Sequence, residues 1–316
     1  MPSCEVVVCT RNRPSQLNDC LRAVRSLCYP NCGILVVDNG EENVATMKVC
    51  ERWSAQYIRE PRVGLSRARN RGAQNCTSEI VAFIDDDAIP SQNWLCRLIQ
   101  EFRDPNVIAT TGPIHPLIYT SQGEVRPHSG VIKGRIDRRV FDLSDPDWFA
   151  KSNFGGIGDG SNMAFRREAF KAWPGFHESL GRGTVVHGGE EHYAFFELIR
   201  LGQRIAFTPL AIVYHPFPDD PESVRVKELT DLCAATAYMC FFFVQQPQYR
   251  IALVRFLLRA AVRRIVGRPK DAANSFGREL KSVFTGLMQY FRSRPPRSGN
   301  SSIRHGKETQ YDEQSH

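Results

Sequence analysis

The sequence predicts an α/β fold, a mostly parallel sheet with helices on both faces, extended at its carboxyl end by further helices. Three observations carry this expectation. Apolar strand-like runs alternate with helix-period segments through the first hundred residues, the rhythm of a helix-covered parallel sheet with right-handed crossovers. One run, Ile80-Val81-Ala82-Phe83-Ile84, is continuously apolar, as a strand buried on both faces must be, and it ends in Asp85-Asp86-Asp87. Beyond Pro221 the pattern changes to longer helical periods that become dense in arginine.

The elements follow in order. Residues 5–10 read as the first strand, leading into Arg11-Asn12-Arg13-Pro14-Ser15. Leu17, Leu21, Val24 and Leu27 then recur at helical spacing, with Ser15 as the expected cap. A second strand at 34–37 ends in Asp38-Asn39-Gly40, and a helix at 44–53, a strand at 55–59, a helix at 66–74 and the strand at 80–84 complete a nucleotide-binding half. Residues 105–160, broken at Gly112-Pro113, Pro116, Pro127 and Gly130, read as short mixed strands and loops that shape a second-substrate side. Residues 155–160 hold four glycines and form no regular element; they suit a tight turn or close backbone approach. A helix at 194–201 stopped by Gly202, a strand at 204–207 and Ile212-Val213-Tyr214-His215 follow.

The three carboxylates stand where α/β sheets bind ligands, just beyond a strand's carboxyl end. Like charges gathered there call for a cation. A hard divalent ion, Mn²⁺ or Mg²⁺, takes oxygen ligands and can hold a diphosphate in turn; a solvated acidic turn before Pro90 is the alternative. Neither Gly-x-Gly-x-x-Gly nor Gly-x-x-x-x-Gly-Lys-Ser/Thr occurs, which disfavours a dinucleotide cofactor or P-loop chemistry. Glu190 and Glu191 sit at a helix mouth, where acidic residues also favour the helix N-terminus. The ten cysteines show no zinc-site spacing and read as small buried hydrophobes in a reducing compartment. The amino terminus runs directly into strand-like Val6-Val7-Val8 without a basic region and long apolar core, so the expected location is cytoplasmic.

The ordered set of segments Thr10-Arg11-Asn12-Arg13, Val36-Val37-Asp38-Asn39-Gly40, Gly64 to Gly72, Phe83-Ile84-Asp85-Asp86-Asp87, Gly160-Ser161-Asn162-Met163, Gly175-Phe176-His177-Glu178, Gly189-Glu190-Glu191 and Val213-Tyr214-His215 resembles the family 2 glycosyltransferases of GT-A fold. The resemblance covers about residues 4–216. It implies transfer of a sugar from a nucleoside diphosphate to an acceptor hydroxyl, with inversion and a divalent metal on the diphosphate. On this pattern Asp38 meets the nucleotide base, the loop Thr10, Arg11, Asn12 and Arg13 lies against base and ribose, and Asn39, Gly64, Ser66, Asn70, Asp85 and Asp86 complete the nucleotide side. Asp87, with Asp85 and His215, would hold Mn²⁺ or Mg²⁺. Gly160, Ser161 and Asn162 fall on the acceptor or donor-sugar side, and Glu191, or else Glu190, is the base. The chain departs from the family pattern at Glu191, where Asp is usual, at Arg11, where many relatives carry an aromatic, and at His177, where Asp is usual.

The expected organisation is a catalytic domain over 1–220, divided near residue 100, a basic amphipathic helical extension over 221–294 and a disordered tail over 295–316. Residues 250–297 hold twelve Lys and Arg against two Asp and Glu, a net of +10, so the rest of the chain sums to −3 and the basic character of the +7 total belongs to this segment. The apolar stretch 232–244 is shorter than the ~20 residues a spanning helix needs and is expected to pack on the catalytic domain. In the next helix Val254, Leu257, Leu258, Ala261, Val262 and Ile265 share a face, and Arg255, Arg259 and Arg263 form a stripe beside it. That helix either lies on an anionic membrane surface, placing the protein on the inner face of the cell membrane, or packs its apolar face on the core. Without a reader motif nucleic-acid binding is disfavoured. The expected function is metal-dependent inverting transfer to a glycan or lipid-linked acceptor in polysaccharide or glycolipid synthesis. An inactive nucleotide-sugar-binding protein and a nucleotidyltransferase are the alternatives.

Overall fold

The computed structural model describes residues 1–119, 125–127, 137–218, 220–266 and 273–292, with the backbone alone at 118–119, 125–127, 263–266 and 273–276. The first half alternates β1 (Cys4–Thr10), α1 (Pro14–Arg25), β2 (Cys32–Asp38), α2 (Val44–Arg52), β3 (Gln56–Arg59), α3 (Leu65–Asn75) and β4 (Ile80–Asp85). There follow β5 (Ile89–Pro90), α4 (Trp94–Glu101), β6 (Val107–Thr111), β7 (Ile114–Tyr119), β8 (Val125–Pro127), β9 (Arg139–Phe141), α5 (Trp148–Asn153), β10 (Met163–Arg166) and α6 (Ala169–Ala172). The chain continues through α7 (Glu190–Arg200), β11 (Arg204–Phe207), β12 (Val213–Pro216), α8 (Pro221–Gln245), α9 (Arg250–Val266) and α10 (Ala273–Arg292).

The main sheet runs in the order β3-β2-β1-β4-β10-β6-β11-β9, and the first four strands are parallel. β10 enters antiparallel between β4 and β6. Chain order reverses at β1, which pairs β2 on one side and β4 on the other, with Cys9 opposite Asp85. That reversal opens a crevice at the strands' carboxyl ends, where doubly wound sheets take ligands. A small second sheet, β5-β12-β7-β8, pairs Tyr214 with Ile89 and thereby brings His215 back beside the acidic turn.

The strand period of two divides the core. Val6 and Val8 of β1, with Ile80, Ala82 and Ile84 of β4, pack on α1 through Leu17, Leu21 and Val24. Val7, Val81 and Phe83 face the other way, onto Ala68 and Ala73 of α3 and Phe195 and Leu198 of α7. Both faces are covered, so the run at 80–84 had to be continuously apolar.

Two helix starts differ from expectation. α1 begins at Pro14 with Arg13 in the cap position and no side-chain cap bond; proline's fixed φ and missing N–H suit the first helical position, so the helix starts there and Ser15 falls inside the first turn. α7 begins at Glu190, four residues before the apolar period, because its acidic first turn is compatible with the helix N-terminus. Gly189 precedes it at φ +82°, and a Cβ there would stand 2.5 Å from the Tyr238 ring, so the position needs glycine for both backbone and space.

α8 packs Ala237, Tyr238, Phe241 and Phe242 with Leu180, Val186 and Phe196 in a third cluster. α10 lies along α8: Gly286 abuts the Cys233 carbonyl, Arg225 pairs with Glu279 at 3.3 Å, and Tyr290 is buried. In α9, by contrast, Val254, Leu257, Leu258 and Val262 are exposed, which removes the packing alternative for that face. The side chains of Arg263 and Ile265, and the tail at 295–316, lie outside the described residues. No described helix is long and apolar enough to cross a membrane. All ten cysteines are free, with Cys4, Cys20, Cys50 and Cys76 buried and Cys28 exposed.

Candidate active site

The crevice at the end of β1 and β4 is lined by Thr10, Arg11, Arg13, Asn39, the three aspartates and Arg182, among others. The aspartates divide their work. Asp86 turns inward, accepting from Thr10 Oγ1 at 2.7 Å and Arg13 Nη1 at 3.2 Å, and burial pushes its carboxyl up to about 6 against those two partners. Asp85 and Asp87 turn toward His215, whose Nε2 stands 3.1 Å from Asp87 Oδ1 and 3.9 Å from Asp85 Oδ2. Burial alone would favour a neutral ring, but the two carboxylates push His215 up to about 9. Burial also tends to raise Asp87, and the imidazole beside it overrides this and holds the carboxyl below its usual range.

Ligand atoms of Asp85, Asp87 and His215 all lie within 4.8 Å of one another, the one such group among the described residues. Two hard oxygens and an imidazole suit Mn²⁺ or Mg²⁺. His215 Nδ1 lies 3.0 Å from the Pro216 carbonyl; a proton donated there leaves Nε2, which faces the aspartates, as the nitrogen that would ligate a metal once the cation displaces its proton.

A buried guanidinium joins this cluster to α7. Arg69 Nη2 donates to Asp85 Oδ1 at 3.2 Å and to the Gly160 carbonyl at 2.9 Å, while Nη1 donates to Glu190 Oε1 at 2.8 Å. Glu190 is thus ion-paired and nearly inaccessible. Glu191, one residue on, stands 3.9 Å from His192 Nδ1, and burial lowers the pKa of that ring and so favours its neutral form. Burial pushes its carboxyl well above the carboxylate range, and the charges of Glu190 and Asp159 add to the effect.

Several residues nominated by the sequence hold the walls of the site. Asp38 is fully buried, accepting from Gly40 N at 2.9 Å and Tyr57 Oη at 3.2 Å, and does not line the crevice. Asn39 ties three backbone groups, donating to the Glu60 and Arg62 carbonyls and accepting from Gly64 N. Asn12 adopts φ +57°, with its side chain against Gly40. Ser66 Oγ donates to Leu180 O, and the Asn70 amide pairs with both backbone groups of Phe176. Ser161 caps onto Asp159, and Asn162 donates to the Pro113 and Ala211 carbonyls while accepting from Trp94 Nε1. His177 packs edge-on against Phe241, 4.7 Å between centroids, and so joins its loop to α8.

Arg69 and Arg182 were not singled out from sequence, yet both left a trace there. Ala68, Arg69, Gly72 and Ala73 share the buried face of α3, so Arg69 is a charge on an apolar stripe and demands a partner. Arg182 stands between Gly181 and Gly183, both at the positive φ that glycine readily adopts, in a turn that places a cation at the crevice wall.

Residues 5–173 match the family model described as Glycosyl transferase family 2. The chain is 30% identical over 230 residues to the succinoglycan biosynthesis protein ExoM of Rhizobium meliloti, covering 70% of this chain and 69% of that one. It is 27% identical over 216 residues to a pre-mycofactocin glycosyltransferase of Mycobacterium tuberculosis, covering 66% of this chain and 42% of that protein. Among solved structures, the Pyrobaculum calidifontis mannosyltransferase PcManGT in complex with GDP-Man and Mn²⁺ superposes with TM-score 0.55 at 15% identity over 92% of this chain and 87% of that one. S. aureus TarS in complex with UDP-GlcNAc superposes with TM-score 0.58 at 12% identity over 93% and 82%. These structures share the GT-A fold, and the sequence match places the chain in a family of enzymes. The protein belongs to glycosyl transferase family 2 and is a glycosyltransferase.

Proposed function

We propose that the protein transfers a sugar, with inversion and with a divalent metal, from a nucleoside diphosphate donor to the hydroxyl of a glycan or lipid-linked acceptor in polysaccharide or glycolipid synthesis. The observation that carries this reading is the pairing, through Arg69, of a three-ligand metal cluster with a separate glutamate pair on α7. Mn²⁺ or Mg²⁺ bound there would supply Lewis-acid stabilisation of the charge developing on the departing diphosphate.

The chain's own groups supply the rest. Arg11, exposed at the crevice, offers a planar cation for stacking on the base where relatives carry an aromatic. Arg13 and Asp86 brace one another beneath the nucleotide side, and Arg182 offers a further cation to the phosphates. Glu191 takes the acceptor proton as the hydroxyl attacks the anomeric carbon from the face opposite the diphosphate, and its raised pKa makes it a stronger base than an ordinary carboxylate. Glu190 is the less suited of the two, because its carboxylate is held by Arg69.

A thermal-shift panel of nucleotide-sugars and nucleoside diphosphates, with Mn²⁺ or with EDTA, tests the reading on wild type and Asp87→Ala. A metal-dependent rise with one nucleotide, lost in the variant, is expected. A metal-independent rise, or one unchanged in Asp87→Ala, would overturn the metal assignment.

A further inference from the structure

The outer faces of the last two helices carry apolar side chains that the catalytic fold leaves uncovered. On α9, Ile251, Val254, Leu258 and Val262 recur at i, i+3, i+7 and i+11 and are exposed, Ile251 by 68% and Leu258 by 62%. On α10, Leu280, Phe284 and Met288 recur every four residues, with Phe284 62% exposed. This second stripe is opposite the α10 face that Glu279, Gly286 and Tyr290 turn to the core and α8. α10 is therefore apolar on two sides, and only one of them is packed.

The rims are basic. Arg255 and Arg259 flank the α9 stripe, and Lys281 and Arg292 flank that of α10. α9 contains no acidic residue, and Glu279 of α10 is taken by Arg225. Apolar stripes edged by cations, on helices that do not span, are the pattern of helices lying in a lipid interface, with arginine and lysine at the headgroups. A second copy of the chain fits poorly, because a two-fold contact would set one basic rim against the other. A nucleic acid would leave the leucine and phenylalanine centres in water.

We propose that α9 and α10 form a docking face for an anionic membrane surface. The inference rests on the proposed function only in that a lipid-linked acceptor would be met there. α8 connects the two sites: α10 lies along it, and its Tyr238 ring underlies Gly189 at the start of the glutamate-bearing helix.

The test is co-sedimentation of the full chain with phosphatidylcholine vesicles, with and without phosphatidylglycerol, beside the nucleotide-sugar thermal shift. Wild type should pellet with the anionic vesicles only and be released by high salt. The Leu258→Glu, Phe284→Glu double variant should bind about tenfold or more weakly, with its thermal shift by donor unchanged. Should that variant fail to fold, Arg255→Ser with Arg259→Ser reads the charged rim instead and should also weaken pelleting. Wild type remaining in the supernatant, equal pelleting on neutral vesicles, or unchanged pelleting of a folded variant would each overturn the proposal. So would a self-association removed by the same substitutions without any vesicle binding. A lost donor shift with intact pelleting would count against the proposed function and leave the docking face standing.

Discussion

The carboxylates on the two sides of the crevice are held in opposite ways. On the β4 side each aspartate has a cation: Arg69 for Asp85, Arg13 for Asp86, His215 and Arg13 for Asp87. On the α7 side Arg69 claims Glu190 and leaves Glu191 buried beside like charges. A carboxylate matched by a cation suits binding; the one left without, its pKa raised by burial and by neighbouring carboxylates, suits proton transfer. One guanidinium sets both conditions, so its two sides are separable by substitution.

The largest expected effect comes from removing the uncompensated carboxylate. Glu191→Gln should lower kcat by about 10²–10⁴-fold while leaving donor binding and melting temperature unchanged, as read by steady-state kinetics and thermal shift. On the proposed mechanism activity requires Glu191 deprotonated, so wild-type kcat should fall as pH drops through a value above the ordinary carboxylate range, and that limb should be absent from the variant's residual rate. An acidic limb preserved in Glu191→Gln would assign the base elsewhere.

Arg69→Met attacks the compensated side. It strands Glu190 and Asp85 without their shared cation, and breaking such a buried pair costs about 3–5 kcal/mol, measurable by urea denaturation. Pairing it with Glu190→Gln should recover part of the loss, since one of the two stranded charges is then gone. Arg182→Gln sharpens the comparison at lower amplitude: with a folded protein, donor KM should rise about tenfold and kcat change little. The smallest effect is expected at exposed Arg11, where Arg11→Tyr should restore an aromatic stack and alter donor KM by only a few-fold.

Much of the acidic end of the crevice was legible because it is local. The apolar strand and the three aspartates are contiguous, and the positions of β1, β2, β4 and β11 follow from periodicity within a residue or two. The site's division of labour was not local. Asp38, Ser66, Asn70 and Asn162 share the sequence signature of ligand-binding residues, but their side chains bond to other groups of the protein, several far away in the chain. A single polar residue in a motif does not say whether its partner is substrate or protein. His177 likewise becomes intelligible only against Phe241, 64 positions on.

From the sequence alone came the alternation of strands and helices, the acidic turn at the end of a doubly buried strand, the glutamate pair and the basic amphipathic character of the last helices. Each is encoded by neighbours within a turn or a strand. Tertiary structure decided which aspartates face His215, which glutamate Arg69 claims, and which apolar face of the last helices is left uncovered. Those outcomes depend on groups 16 to 130 residues apart sharing one guanidinium, one imidazole or one helix face, and distance in space, not order in the chain, sets the strength of charge and packing.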